Sequence, residues 1–323
     1  MKAEVIIVGG GLAGLSAAIY LGRAMRDALV IDNGKSMARW EPKVENYLGF
    51  PRGIAGEKLI SYGRRQARNY RIRFASDTIT AANKIRHGEI KLVGKHHEYN
   101  CRRLLLATGI FHKPPDIPGI TACLGHSMFF CKDCDGYRVQ GKALAVYGWT
   151  NETAEYALGM LLYTNRVAIV TDTRRPRWSA RYARLLRHYK IPIFRECIVK
   201  GTHRRKELTG LRFNDSQTLP IQALFTTRGD IYLNKIAKAL GAEVDAEGQI
   251  KVDSCMETRV RGVYAAGCGT PANCQMIIAA GQGAVAAQAI NRDLFLESLQ
   301  THSLQRPAVR HRSNTHSLGR QRT

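Results

Sequence analysis

Six residues, Gly9-Gly10-Gly11-Leu12-Ala13-Gly14, restrict the fold of this chain more than any other stretch. They follow a β-branched run, Glu4 to Val8, and open an apolar helical pattern that continues through Leu21. Strand, GxGxxG turn and helix in that order predict a βαβ dinucleotide unit. Gly9 permits the tight turn, Gly11 lets the backbone approach a pyrophosphate, and Gly14 lets helix and strand pack closely. The helix N-terminus would then face the phosphates. A second strand, Ala28 to Ile31, ends at Asp32. A carboxylate at that interval past the turn can accept hydrogen bonds from both ribose hydroxyls.

The same pattern recurs in altered form. Ala143 to Tyr147 predicts another strand and Asn151 to Leu162 another helix, joined by Gly148-Trp149-Thr150. The next strand, Arg166 to Thr171, ends at Asp172, and the interval from Ala154 to Asp172 equals that from Gly14 to Asp32. Beyond Phe225 the pattern predicts a helix (Leu233 to Leu240), a strand near Gln249 to Val252, a strand at Gly262 to Ala266 and a long small-residue helix from Gln275 to Asn291. The fold class expected is α/β, with two nested Rossmann-like dinucleotide-binding domains, the second inserted in the first. Residues 1–112 and 229–297 would form the outer domain, residues 113–228 the inserted one, and residues 298–323 a disordered basic tail.

Cys131-Lys132-Asp133-Cys134-Asp135-Gly136 carries the chemistry. A CxxC pair at a helix start holds two sulfurs within bonding reach, and the helix N-terminus stabilises a thiolate. Asp135 adds a proton donor and acceptor beside the thiol. Half of a zinc site is the competing reading. It wants four ligands, and no second CxxC or paired His at metal spacing accompanies it, although Cys123 and His126 lie near in sequence. No metal is expected.

From Val5 to about Leu294 the chain resembles the low-molecular-weight thioredoxin reductases. The resemblance rests on the first Gly-rich turn, Val44-Glu45-Asn46-Tyr47-Leu48-Gly49-Phe50-Pro51, Ala107-Thr108-Gly109, the CxxC-Asp-Gly, Gly262-Val263-Tyr264-Ala265-Ala266-Gly267, and Gln275 with Ala279-Ala280-Gly281-Gln282-Gly283-Ala284. It implies a flavoprotein disulfide oxidoreductase with FAD in the outer domain. Gly9, Gly11, Gly14, Asp32, Asn46, Thr108, Gly109, Gly267, Cys268, Gln275 and Met276 would line the flavin site. It implies further that Cys134 meets the flavin, that Cys131 attacks a partner's disulfide such as that of thioredoxin, and that the enzyme is a homodimer.

The departures lie at two places. Relatives that use NADPH carry a second GxGxxA turn and a His-Arg-Arg cluster for the 2′-phosphate. Here Trp149 is read in place of the middle glycine, and Asp172 stands where the phosphate-binding cluster should begin. A carboxylate there repels a 2′-phosphate while accepting an unmodified ribose. NADPH is therefore a poor fit, although Arg174, Arg175 and Arg177 follow closely. Gly148, Trp149, Thr150 and Asp172 would line this second site. The chain is similar to the cyanobacterial diflavin-linked disulfide oxidoreductases, which lack the NADPH motifs, and that similarity implies a second FAD. The other departure is Cys268, in place of an aspartate that holds the ribityl chain, with Cys274 in place of an arginine. Small buried filling residues are the expectation for both, with a second cysteine pair close to the flavin as the alternative.

A net charge of +23, from 49 Lys and Arg against 26 Asp and Glu, favours acidic partners, an acidic electron donor such as ferredoxin among them. No basic helix with interleaved aromatics points to nucleic acid. No apolar run reaches the ~18 residues of a membrane span, and no leader precedes Val5, so a cytoplasmic protein is expected. Three further readings stand beside the main one: an NADPH-thioredoxin reductase with a divergent pocket, a small-molecule dithiol oxidase, and a non-catalytic flavin redox sensor.

Overall fold

The computed structural model describes residues 1–85, 88–227 and 229–304. Strand β1 (Lys2–Val8) leads into helix α1 (Leu12–Arg23), β2 (Ala28–Ile31), α2 (Gly56–Arg68) and β3 (Arg73–Ala75). Strands β4 (Ile79–Lys84), β5 (Ile90–Gly94) and β6 (Glu98–Leu106) follow. These strands form one sheet in the order β3-β2-β1-β6-β5-β4. The β-branched and Leu-rich runs of β1 and β2 are buried on both faces, as parallel strands under helices require. Strand β6 is long enough to serve two neighbours on one edge. Its first half pairs antiparallel with β5, and its last residues pair parallel with β17 (Val263–Ala265).

The chain leaves this sheet through β7 (Ile110–His112) and enters a second one. There β8 (Met128–Phe129), helix α3 (Lys132–Asp135), β9 (Leu144–Tyr147), α4 (Asn151–Met160), β10 (Val167–Val170), α5 (Ala180–His188) and β11 (Ile193–Phe194) follow in turn. Next come β12 (Ile198–Arg204), β13 (Glu207–Phe213), β14 (Thr218–Leu219) and β15 (Ala223–Thr226). The second sheet runs β11-β10-β9-β15-β8, all parallel, and β12, β13 and β14 form a small antiparallel sheet beside it. The chain returns through β16 (Asp230–Tyr232), which pairs antiparallel with β7. Outward and return strands therefore lie side by side. Helix α6 (Lys235–Ala239), β17 and helix α7 (Met276–Gln300) then complete the first sheet's layers. The two nested dinucleotide folds expected from the motifs are present.

Two local expectations fail. Gln249 to Val252 forms only an isolated bridge, Val244 with Ile250. The Asp245 carboxylate accepts the Gly248 and Gln249 N–H groups, which curls the chain, and Ile250 N–H goes to Gly269 O at 2.7 Å rather than to a neighbouring strand. The final helix also outruns its expected end, so residues 298–300 are helical rather than tail. Arg103 holds that region through Asp293 and Glu297, and Ile290 and Leu294 are fully buried. The rest of the basic tail, from residue 305, lies outside the described residues.

Candidate active site at the Cys131–Cys134 disulfide

Cys131 and Cys134 are bonded to each other, with Cα atoms 5.3 Å apart. The short helix α3 explains the geometry. Cys131 is its N-cap, and its sulfur accepts the Cys134 N–H at 3.1 Å. Facing the pair is Gln275, the N-cap of α7. Its Nε2 lies 3.3 Å from Cys134 Sγ and 3.5 Å from Cys131 Sγ, and its Oε1 accepts from Asn46 Nδ2 at 2.9 Å. Residues far apart in sequence, Asn46, Cys131, Cys134 and Gln275, thus meet at one point.

Asp135 is buried behind the disulfide, and its Oδ1 accepts from Arg138 at 2.9 Å. Burial lifts its carboxyl to about 6, repulsion from Glu45 adds to the rise, and Arg138 opposes it. Glu41 is lifted to about 7, by burial first and by Asp135 second, again against Arg138. Asp135, next to Cys134 in the chain, and Glu41, which feels its charge, are thus both held above the usual carboxylate range, the direction that suits a proton donor. Sequence reasoning found Asp135 and missed the other two. Arg138 was readable as an i,i+3 partner of Asp135. Glu41 arrives from a distant segment with no motif to mark it.

Of the residues expected to line a flavin site, Asn46 and Gln275 lie at the disulfide, and several others are arranged about the first Gly-rich turn. A Cβ at Gly14 would lie 1.9 Å from Gly9 O, and one at Gly9 would lie 2.2 Å from Ala107 O, so these positions are closed to side chains by packing alone. A Cβ at Gly11 meets nothing nearer than Ser36 Oγ at 3.2 Å. Helix α1 has no side-chain cap, which leaves its first N–H groups facing that bare turn. Asp32 sits buried at the end of β2 with Arg64 at 3.8 Å. Thr108 donates to Leu233 O at 2.7 Å, and Gly109 adopts φ +65 beside it. Gly267 N–H is held by Gln282 Oε1 at 2.8 Å. Met276 packs near Leu12, Leu15 and Ile60. An uncapped helix start, bare backbone and a buried acid at the strand end are the donor set that a dinucleotide such as FAD needs.

The second Gly-rich turn is built differently, and its register differs from the expectation by one residue. Val8 pairs with Ile31 in the first unit, and Tyr147 pairs with Val170 in the second. Gly11 and Thr150 are the respective helix N-caps. Thr150, not Trp149, therefore stands at the middle glycine, Thr153 at the third, and Thr171 rather than Asp172 at the place of Asp32. The interval between third glycine and acid survives, but it runs from Thr153 to Thr171. The β-branched Thr171 extends the strand pattern and conceals where the strand stops.

No bare turn results. Thr150 and Thr153 form a capping box. Thr150 N–H donates to Thr153 Oγ1 at 3.2 Å. Thr153 Oγ1 also contacts Thr227 Oγ1 at 2.8 Å. Asp172 accepts Ile198 N–H at 3.0 Å and pairs with Arg174 at 3.1 Å. Arg174 stacks on the Trp149 ring at 4.6 Å, and Arg177 N–H donates to Trp149 O. Ser179 N–H reaches Asn151 Oδ1 at 2.7 Å. The loop after β10 is thus tied across the start of α4.

Cys268 and Cys274 are also bonded to each other, Cα to Cα 4.8 Å. The expectation of buried filling residues is overturned. Cys274 is exposed, and the intervening segment folds back so that the two sulfurs meet. Among the described residues no group of His, Cys, Asp or Glu is placed to hold a metal ion, and no helix is long and apolar enough to cross a membrane.

Residues 3–287 match the family model described as pyridine nucleotide-disulphide oxidoreductase. The thioredoxin reductase of Bacillus subtilis is 30% identical over 308 residues, covering 92% of this chain and 96% of that protein. An oxidoreductase from Agrobacterium tumefaciens has the same fold with a TM-score of 0.80, at 27% identity over 92% of this chain and 99% of that one. The atypical thioredoxin reductase TRi from Desulfovibrio vulgaris Hildenborough is 30% identical over 91% of this chain and 99% of that one, with a TM-score of 0.53. Disulfide, flavin-type cradle and whole-length matches agree: the chain belongs to the pyridine nucleotide-disulphide oxidoreductase family, as a flavoprotein disulfide oxidoreductase with thioredoxin reductases among its relatives.

Proposed function

We propose that this protein reduces a protein disulfide such as that of thioredoxin through Cys131 and Cys134, and that its electrons come from a donor other than NADPH. The observation that carries the reading is the contrast at the two helix starts: α1 is bare and α4 is capped by Thr150 and Thr153. Bound FAD would supply a two-electron reductant beside the sulfurs, held at the bare turn by Gly9, Gly11 and Asp32 with Asn46 and Gln275 at the disulfide end. Gln275 orients the pair by donating to both sulfurs. Asp135, with its carboxyl near 6, gives a proton to the thiolate that leaves when the disulfide opens and takes it back when the disulfide closes. The Cys131 thiolate attacks the partner's disulfide, and Cys134 resolves the mixed disulfide, so two electrons and two protons reach the partner.

At the second turn, the capping box engages the Thr150 and Thr153 N–H groups, and two threonine side chains stand where the first turn has bare glycine. The Arg174–Trp149 stack covers the adjoining surface. A second FAD, as in the diflavin relatives, is the alternative supported by the Trp149 indole, an aromatic platform on which an isoalloxazine could stack once Arg174 moves.

The test is an anaerobic titration of the FAD-loaded protein with NADPH and NADH, with flavin counted per chain, followed by addition of oxidised thioredoxin to the photoreduced protein. One flavin, no rapid bleaching by micromolar NADPH and reoxidation by thioredoxin are the expected results. Rapid bleaching by NADPH would sink the donor reading, and two flavins per chain would establish the alternative.

A further inference from the structure

Cys268 follows Gly267 at the end of β17, on the edge of the flavin cradle, and Cys274 immediately precedes Gln275. Gln275 is the residue whose amide touches both sulfurs of the first disulfide. A single peptide bond therefore separates the exposed Cys274, bonded to Cys268, from the residue in contact with Cys131 and Cys134. The segment between Cys268 and Cys274 is held at Thr270, whose hydroxyl donates to Gly267 O at 2.8 Å, while Pro271, Ala272 and Asn273 are exposed. A buried structural staple would shield its sulfurs; this one offers the Cys274 sulfur to an attacking thiolate.

We propose that Cys268–Cys274 is a second redox couple of the enzyme, reduced by exchange with the Cys131–Cys134 dithiol. The inference rests on the reading above that Cys131–Cys134 is the working couple. The Cys131 thiolate attacks Cys274 Sγ, a Cys131–Cys274 bond forms, and Cys268 leaves as a thiolate that takes a proton. Cys134 then attacks Cys131, which closes Cys131–Cys134 again and frees Cys274 as a thiol. One S–S bond is lost and one regained, two electrons and two protons move, and no other reactant is consumed. Two couples in series let one chain hold four electrons on sulfur.

The test uses the full-length FAD-loaded protein, reduced anaerobically by photoreduction of its flavin with no added thiol, quenched at intervals by alkylation, and read by mass spectrometry at each cysteine. The expected result is that Cys268 and Cys274 resist alkylation in the oxidised protein and become reactive only after Cys131 and Cys134 do. In Cys134→Ser, Cys131 has no resolving partner. A Cys131–Cys274 cross-link should accumulate with Cys268 free, and full opening of the pair should slow at least about tenfold. Alkylation of Cys268 and Cys274 in the oxidised protein would overturn the proposal. So would a pair that stays closed while Cys131 and Cys134 are fully reduced, or one that opens at the wild-type rate in Cys134→Ser without the cross-link. A Cys131–Cys134 bond that itself stays closed on photoreduction would remove the working couple as well, and is told apart because the first pair is then the one found closed.

Discussion

Helices α1 and α4 start from equivalent strands in equivalent register, yet their first turns are in opposite conditions. Gly11 leaves the N–H groups of α1 without a side-chain cap, while Thr150 and Thr153 cap α4 from within the chain. Every helix start has four N–H groups without intrahelical partners, and they need acceptors from somewhere. Glycine suits the case in which a ligand supplies them, and threonine the case in which the protein supplies its own. The difference teaches that two units of one fold in a single chain can start their helices on different side chains and keep the same strand register.

Four substitutions can break or sharpen this contrast. The largest effect is expected from Gly14→Val, because even its Cβ would overlap the Gly9 carbonyl at 1.9 Å. A loss of more than about 4 kcal/mol and protein without bound flavin are expected, whereas Thr153→Val at the matching position should cost about 1–2 kcal/mol through two lost hydrogen bonds. Thermal unfolding and flavin content of the two variants would show it, and equal losses would end the contrast.

Next is Asp135→Asn, between the two units. Turnover with a disulfide substrate should fall about 100-fold. The wild-type rate should decline as pH rises through about 6, where Asp135 loses its proton, and the variant should show no such limb. The sign for stability follows from the same raised value. The protonated carboxyl's contribution is full below about 4 and is lost as pH rises through about 6, so Asp135→Asn should gain on the wild type over that window. Superimposable pH profiles would refute the assignment.

The smallest effect belongs to Arg174→Ala, which removes a stacked and half-exposed guanidinium. The cost should be about 0.5 kcal/mol, as for other exposed cation–π and ion-pair contacts. Trp149 fluorescence should become more open to quenching, with no gain in bleaching by NADPH. A tenfold gain would make Arg174 a removable cover over a competent site rather than part of a closed one.

Much of this was readable from residues. The runs Glu4 to Val8 and Ala143 to Tyr147 mark central strands because parallel strands covered on both faces must be apolar throughout, and the first GxGxxG marks its turn because nothing larger fits. The CxxC was readable because its position at a helix start sets the sulfur separation. The register of the second unit was not, since Thr171 continues a β-branched run and the same interval fits either frame. The Cys268–Cys274 pair was readable only as the alternative to buried fillers: whether these cysteines meet depends on how Gly269 to Asn273 turn, and on contacts such as that of Thr270 with Gly267 made only in the fold. Glu41 was hidden because its proximity to Asp135 comes from the packing of two distant segments.

The ribbon of β7 and β16 carries the chain out of the first sheet and back at one place, with Ile231 opposite Phe111. Two genetic crossovers, one within codons 110–112 and one within codons 230–232, would exchange everything between them as a cassette. The first Gly-rich turn and Asp32 lie outside that interval and would be inherited untouched. Such an architecture lets the inserted unit, Cys131 and Cys134 included, be replaced in a lineage without rebuilding the first sheet.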